Sequence, residues 1–229
     1  MTKAFLRNTL LAAATLVIAP SSWAAFVTWQ LNPNSLNQSV GSNTNSYTVS
    51  GATITARGFD NNGGNGVAHT LFYKYENPIG GAVERGLGLT GIPDSELFSN
   101  QNGTPANFIQ LDLRSILTSG FTGGQIEVGS VQSGETFRLF GSNSQGLLGT
   151  QIGTSFGSVF DNTFVSIANF GSYKFISVAA GTGDVLPIAF RAQAVPEVSA
   201  FLPALGLVVA VSATRILRNR RAARASSLC

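Results

Sequence analysis

The sequence contains one cysteine, one histidine and one methionine, and charged residues make up only 11% of it. Each scarcity excludes a class of chemistry. Cys229 follows the last arginines, so the long central part of the chain carries no thiol. No intramolecular disulfide can form, and stability must come from packing and polar contacts. His69 stands alone in Val67-Ala68-His69-Thr70-Leu71-Phe72 and reads as a half-exposed residue of a strand-like run. A lone histidine without a second base gives no nucleophile–histidine–acid triad. With no Cys/His cluster there is no ordinary zinc or haem site either. Carboxylates remain, but Asp94 and Glu96 only flank Ser95, while Glu84 and Glu135 stand apart. Nothing in that spacing selects two acids to face each other across a cleft, as glycoside hydrolysis needs. The chain therefore reads as a non-enzyme, with a secreted hydrolase as the third alternative.

Basic charge is also scarcer than the net value of +3 suggests. Lys3 and Arg7 lie in the first residues, and Arg215, Arg218, Arg220, Arg221 and Arg224 lie in the last. Between Ala25 and Gln193, seven basic side chains face ten acidic ones, a net charge of −3. A mildly acidic body has no electrostatic footprint for nucleic acid, which is excluded as a partner.

The two ends carry their own patterns. Lys3 and Arg7 precede the apolar run Leu10–Ala19, and Ser22-Trp23-Ala24 places small residues before a cleavage point. This is the order of a secretory signal peptide (1–24), with cleavage expected between Ala24 and Ala25. Near the other end, Val195-Pro196-Glu197 is followed by an uncharged run from Val198 to Thr214 and then by the five arginines. At ~1.5 Å per residue that run is near the lower limit for a membrane-spanning helix. It lengthens to 198–217 if Ile216 and Leu217 insert while Arg215 snorkels to the headgroups. With the N-terminus exported, the arginines (tail 215–229) are expected to stay in the cytoplasm. Pro203 falls in the first turns of the run, where a missing amide costs least.

Motif, apolar run and basic tail, in that order, resemble the C-terminal sorting signal of the PEP-CTERM class of exported proteins. The resemblance rests on Val195-Pro196-Glu197 and Leu205-Gly206-Leu207 within residues 194–229. Val198 stands where the class usually has a second proline. The resemblance implies processing near the motif by an exosortase, a membrane-embedded, cysteine protease-like transpeptidase. It further implies an inner-membrane-anchored precursor whose product reaches the cell surface or the extracellular space, in association with exopolysaccharide or biofilm.

The body, 25–193, is rich in Gly, Ser, Thr, Asn, Phe and Val and has little that favours helix. Apolar and polar residues alternate in Ala52–Arg57, Phe108–Leu113, Gln125–Val128, Glu135–Leu139, Phe164–Ile167, Tyr173–Val178 and Asp184–Arg191. Val27, Trp29 and Leu31 share a face at the start. Gly/Asn turns such as Asp60-Asn61-Asn62-Gly63-Gly64 and Gly123-Gly124 separate these runs. Only Ser95–Ser99 and Leu113–Thr118 offer a helical turn. The pattern predicts an all-β fold, an antiparallel β-sandwich of jelly-roll type, flanked by an N-terminal signal helix and a C-terminal transmembrane helix. Ser133–Asn143 is similar to the strand of discoidin-like jelly rolls that ends in a Gly/Ser/Asn loop. Arg85–Leu89, leading to Asn107–Asp112, is similar to the bodies of many PEP-CTERM proteins.

No cofactor is required by these residues, but two loops offer hard oxygen ligands of the kind Ca²⁺ prefers. In the first, Asp60, Asn62 and Asn65 sit among glycines; in the second, Asp94, Glu96, Asn100 and Asn102 lie between Gly91 and Gly103. Solvated turns use the same residues. Tyr73 and Tyr75 share one face of Leu71–Tyr75, Phe72 and Lys74 the other, a pattern read first as core packing. The expected function is an exported cell-surface or matrix protein; the alternative is a carbohydrate-binding module, with or without Ca²⁺. Because residues 25–193 carry no thiol, the unfolding midpoint of the purified chain is expected not to respond to dithiothreitol. A large drop measured with the reductant present would contradict this.

Overall fold

The computed structural model describes residues 25–76 and 83–194. The chain begins with β1 (Phe26–Gln30), β2 (Gln38–Ser39), β3 (Thr44–Val49), β4 (Ala52–Asn62), β5 (Asn65–Ala68), β6 (Leu71–Glu76) and β7 (Glu84–Leu89). A 3-10 turn at Pro93–Ser95, the first of three with Ser158–Phe160 and Phe170–Ser172 among the described residues, leads to β8 (Leu97–Phe98), β9 (Asn107–Asp112) and the one-turn helix α1 (Arg114–Thr118). Then follow β10 (Thr122–Gly129), β11 (Thr136–Ser142), β12 (Thr150–Gly157), β13 (Thr163–Ser166), β14 (Phe175–Thr182) and β15 (Asp184–Gln193).

The strands form an antiparallel sandwich. One sheet has the order β12-β11-β14-β9-β4-β3, with β5 paired to β4; the other has the order β1-β15-β10-β13, with β8 paired to β15. Their facing sides supply the core: Ile54, Ile109, Leu111, Phe137, Leu139 and Val178 from the first, Trp29, Ile126, Val128 and Phe190 from the second. The alternation in the sequence predicts these inward positions, because successive strand side chains point to opposite faces.

Alternation fails where a second apolar layer covers the outside. Every residue of β9 is buried, and β15 is buried without a break from Val185 to Phe190. Over the outer face of the larger sheet, Phe59, Phe108, Phe140, Leu148 and Ala179 make a separate cluster. The 143–149 loop closes it through Gln110, whose Oε1 accepts from the Gly146 amide at 2.8 Å and whose Nε2 donates to the Leu147 carbonyl at 3.0 Å. A polar side chain that the pattern would send to solvent is thereby buried with its bonds made.

A third, small sheet, β2-β6-β7, is packed on both faces, against β4 and against β15. The run Arg85-Gly86-Leu87-Gly88-Leu89 explains how. Leu89, with Leu71 of β6, packs against Gly58 of β4, where a Cβ would overlap them. On the other face Gly86 lies against Pro187 of β15, and Gly88 lies under the carbonyl of Ser95, each too close to admit a side chain. Leucines on one face and glycines on the other let the small sheet sit between its neighbours.

The first and last strands of the body are neighbours: β1 pairs with β15 and aligns Phe26 with Gln193. Arg191 of β15 lies between two rings, 4.4 Å from the centroid of Phe26 and 3.9 Å from that of Phe164, while its Nε donates to Gln125 at 2.7 Å. The signal peptide with Ala24, the Val195-Pro196-Glu197 motif, the predicted span and the five arginines lie outside the described residues. No helix among the described residues is long and apolar enough to cross a membrane.

Candidate functional site

Among the described residues, polar side chains converge around Asp112, which pairs with Arg57 and Arg114, and at two further places that bear on the candidate residues. The first is the small sheet. Lys74 is fully buried, its side chain on the face of β6 that turns toward β7's glycines. Its ammonium lies 2.7 Å from Glu96 Oε1, 2.8 Å from Asp94 Oδ2 and 2.9 Å from Glu84 Oε2, with Glu76 Oε2 further off at 3.9 Å. An ammonium has three protons, and three carboxylates stand at hydrogen-bond distance. Glu84 comes from β7, whereas Asp94 and Glu96 come from the 3-10 turn and the residue after it. The Asp94 and Ser95 backbones both adopt positive φ, at 53° and 56°, so that the turn folds over Gly88. Such conformations cost of order 1–3 kcal/mol each and persist where surrounding contacts enforce them. Here Asp94 is held by Lys74.

Glu84, Asp94 and Glu96 have the mutual spacing of a metal-binding trio, the only such group of His, Cys, Asp or Glu among the described residues. The Lys74 ammonium occupies the cation position between them, so the charge a metal would bring is supplied covalently. Burial pushes the Glu96 carboxyl up to about 7, against the pull of Lys74 and of the Ser130 hydroxyl that donates to it at 3.1 Å. Burial alone would lower Lys74, but bonds to Asp94, Glu96 and Glu84 hold it above its ordinary value. Asp184 nearby is also raised, first by burial and then by Glu135 and Asp94.

The second place is a concavity of about 570 Å³ on the outer face of the larger sheet. Its lining includes Asn61 from the end of β4, Gly64 from the β4–β5 turn, Asn100, Asn102 and Gly103 from the loop before β9, and Arg138, Phe140 and Leu148. Asn61 joins the two loops: its Nδ2 donates to the Pro105 carbonyl at 2.7 Å, and its Oδ1 accepts from the Gly64 amide at 2.8 Å.

Of the residues singled out in the sequence as ligands, only those of the second loop reach these places; Asp60, Asn62 and Asn65 join neither. Asp60 points to the face opposite Asn61 and lies 2.8 Å from His69 Nδ1, while His69 Nε2 is 2.6 Å from the Thr90 carbonyl. His69 itself lies between β5 and β6, a connector between strands. Asn62 and Asn65 are cross-strand partners flanking Gly63 and Gly64, both at positive φ, a two-residue hairpin turn. Of the second loop, Asp94 and Glu96 go to the lysine cluster, while Asn100 and Asn102 go to the concavity. Tyr73 packs against the core, its hydroxyl accepting from Asn45 at 2.7 Å. Lys74 and Arg138 were not singled out by the sequence. Each occupies an ordinary outward position in an alternating strand, and nothing local announces the loops that fold over it.

The chain matches no protein-family model, no curated protein and no solved structure. Its reading therefore rests on its own residues.

The lysine cluster has a pH consequence. Glu96's value in the fold is raised above its unfolded one, so its contribution to stability is complete below about 4.5 and is lost as pH rises through about 7. Glu127 and Asp184, both raised chiefly by burial, act in the same direction. Asp112 is lowered: burial opposes this, but Arg114 bonds prevail, so its contribution is lost only on acidification below the ordinary carboxylate range. Urea unfolding at pH 5 and pH 8 is expected to show lower stability at the higher pH, Glu96 supplying up to about 3 kcal/mol. Glu96→Gln, which still accepts from Lys74, is expected to remove most of that difference. The same pH dependence in the variant would refute the assignment to Glu96.

Proposed function

We propose that the chain is an exported, non-enzymatic protein of the cell surface or extracellular matrix, sorted through a PEP-CTERM-like C-terminal signal. The observation that carries this reading is the succession Val195-Pro196-Glu197, an uncharged run over Val198–Thr214, and five arginines, in a chain that opens with a signal-peptide pattern. An exosortase-type transpeptidase is the processing partner, the membrane holds the precursor through helix 198–217, and exopolysaccharide is the surrounding material. The sandwich between the two signals is read as jelly-roll type. Its geometry supports display: Gln193, the last residue of β15, pairs with Phe26 at one end of the sheet, and Asp184, the first, adjoins the loop that lines the concavity. β15 has ten residues. At ~3.3 Å per residue, roughly 30 Å separate the end that joins the sorting signal from the end with the concavity.

A second reading, a carbohydrate-binding module, is favoured by that concavity, whose lining combines amides, glycine backbone and an apolar floor.

The sorting signal is tested by two variants of the exported chain bearing a tag after Ala25. Leu, Val and Phe insert at roughly −0.3 to −0.6 kcal/mol each near the bilayer centre, but Pro203, Gly206 and two serines offset this. The arginines then decide whether the run stops in the membrane. Changing all five to glutamine is expected to let precursor pass through unprocessed. Pro196→Ala with Glu197→Ala is expected to leave it anchored and full-length. Fractionation with an immunoblot for size reads both outcomes. Release of a shortened double-alanine chain, as in the wild type, would remove the sorting-signal reading and leave a plain anchor.

A further inference from the structure

Arg138 lies in the concavity with its charge uncompensated. The alternation of β11 sends Phe137 and Leu139 into the core and Arg138 and Phe140 to the outer face. Its Nε is buried and donates to nothing in the structure, and Nη2 reaches only the Gly181 carbonyl, at 3.5 Å. A guanidinium carries five N–H donors, and a buried donor left unpaired is costly. No carboxylate lines the concavity, and among the described residues none lies within ion-pair distance of Arg138. The other cations on sheet strands that are at least half-buried differ: Lys74 has its three acids, Arg57 has Asp112 at 3.4 Å, and Arg191, without a carboxylate, is enclosed by the rings of Phe26 and Phe164 and donates to Gln125.

Glycines keep side chains away from the guanidinium on two sides. A Cβ on Gly181 would come within 3.0 Å of Arg138 Nε, and one on Gly103 would stand 3.5 Å from Nη2. Two backbone segments thus flank the fork without side chains that could cover or neutralise it. Around it, the rim offers the exposed side-chain amide of Asn100 and the Nδ2 of Asn102, whose Oδ1 is occupied by the Thr104 amide at 3.0 Å. Phe140 and Leu148 form the apolar floor. A volume of about 570 Å³ exceeds what a single small anion fills and lies in the range of small-molecule sites.

We propose that this concavity binds an acidic saccharide. A uronate carboxylate is held in the plane of the Arg138 guanidinium, ring hydroxyls meet the Asn100 and Asn102 amides, and the apolar side of the ring rests on Phe140 and Leu148. A planar carboxylate matches the fork geometry of arginine. The proposal rests on the carbohydrate-binding reading of the body and adds the charge and the residue that select the ligand.

The test uses the chain solubilised in a polyoxyethylene detergent, which carries no sugar headgroup, and calorimetric titration with tetragalacturonate, maltotetraose, hexaglutamate and inorganic phosphate. Tetragalacturonate is expected to bind most tightly and to weaken as salt is raised. Arg138→Gln is expected to lower its affinity about tenfold or more, with little effect on the neutral sugar. Maltotetraose binding as tightly as tetragalacturonate, with Arg138→Gln unchanged, would keep the carbohydrate module and overturn the acidic specificity. Binding to neither sugar would overturn both. Hexaglutamate or phosphate binding as tightly as tetragalacturonate would overturn the saccharide assignment. Should Arg138→Gln not fold, Arg138→Lys decides, since it keeps the charge but not the fork. Weaker binding with the uronate still preferred supports the proposal, and unchanged affinity for both tetrasaccharides overturns it.

Discussion

The structure depends on one desolvated charge. Taking an ammonium out of water costs several kcal/mol, a penalty recovered only if every proton finds a good acceptor. Lys74 meets that condition with Glu84, Asp94 and Glu96, and the condition fixes where four separate stretches of chain must be. β6 brings the lysine, β7 brings Glu84, the turn after β7 brings Asp94 and Glu96, and the residue after β10 brings Ser130 to Glu96. In a body without a thiol, this contact joins the small sheet to the sandwich as a disulfide or a bound metal does in other small domains. The chain continues from Glu96 through β8 directly to Asn100–Gly103, one wall of the concavity around Arg138. The surroundings of the two charged side chains are therefore joined by a short stretch of backbone, from Glu96 to Gly103, one charge satisfied inside the protein and the other without a carboxylate partner.

That contrast organises the reading of the molecule. A buried lysine with three acids gives position and rigidity; a half-buried arginine with none gives a place for a ligand's charge. Glycine makes both arrangements sterically available. Gly88 admits the turn that brings Asp94 and Ser95 over the small sheet, and Gly181 and Gly103 leave the Arg138 fork uncovered. The body also places its ends together through β1 and β15, Phe26 beside Gln193, while Asp184 at the other end of β15 pairs with Phe98.

Much of the architecture was legible in the sequence because strand periodicity reports one-sided burial. Trp29, Ile109, Leu111, Leu139 and Phe190 all occupy the inward positions that alternation assigns them. It was silent about the second apolar layer. Nothing local tells Gln110 from a solvent-facing glutamine until the 143–149 loop folds over it. The acids behave similarly: Asp94 and Glu96 fall in one candidate loop of the sequence while Glu84 stands apart, and only the packing of β7 beside β15 brings Glu84 to them. The Asn/Gly loops were recognised as sites of interest from composition, yet what they share is Arg138, more than thirty residues further along the chain. Long-range convergence of this kind leaves no periodic trace.

The central claim is that the Lys74 ammonium, and not packing alone, holds the three carboxylates and the segments that carry them. Urea unfolding of Lys74→Met, alone and together with Glu84→Gln, Asp94→Asn and Glu96→Gln, tests it most directly. Removing one side of a buried ion pair leaves uncompensated charge and costs about 3–5 kcal/mol, whereas neutralising both sides is far milder. The single variant is predicted to lose stability on that scale at pH 8, and the combined variant to recover most of it. A single variant as stable as the wild type, or a combined variant no more stable than the single one, would contradict the claim.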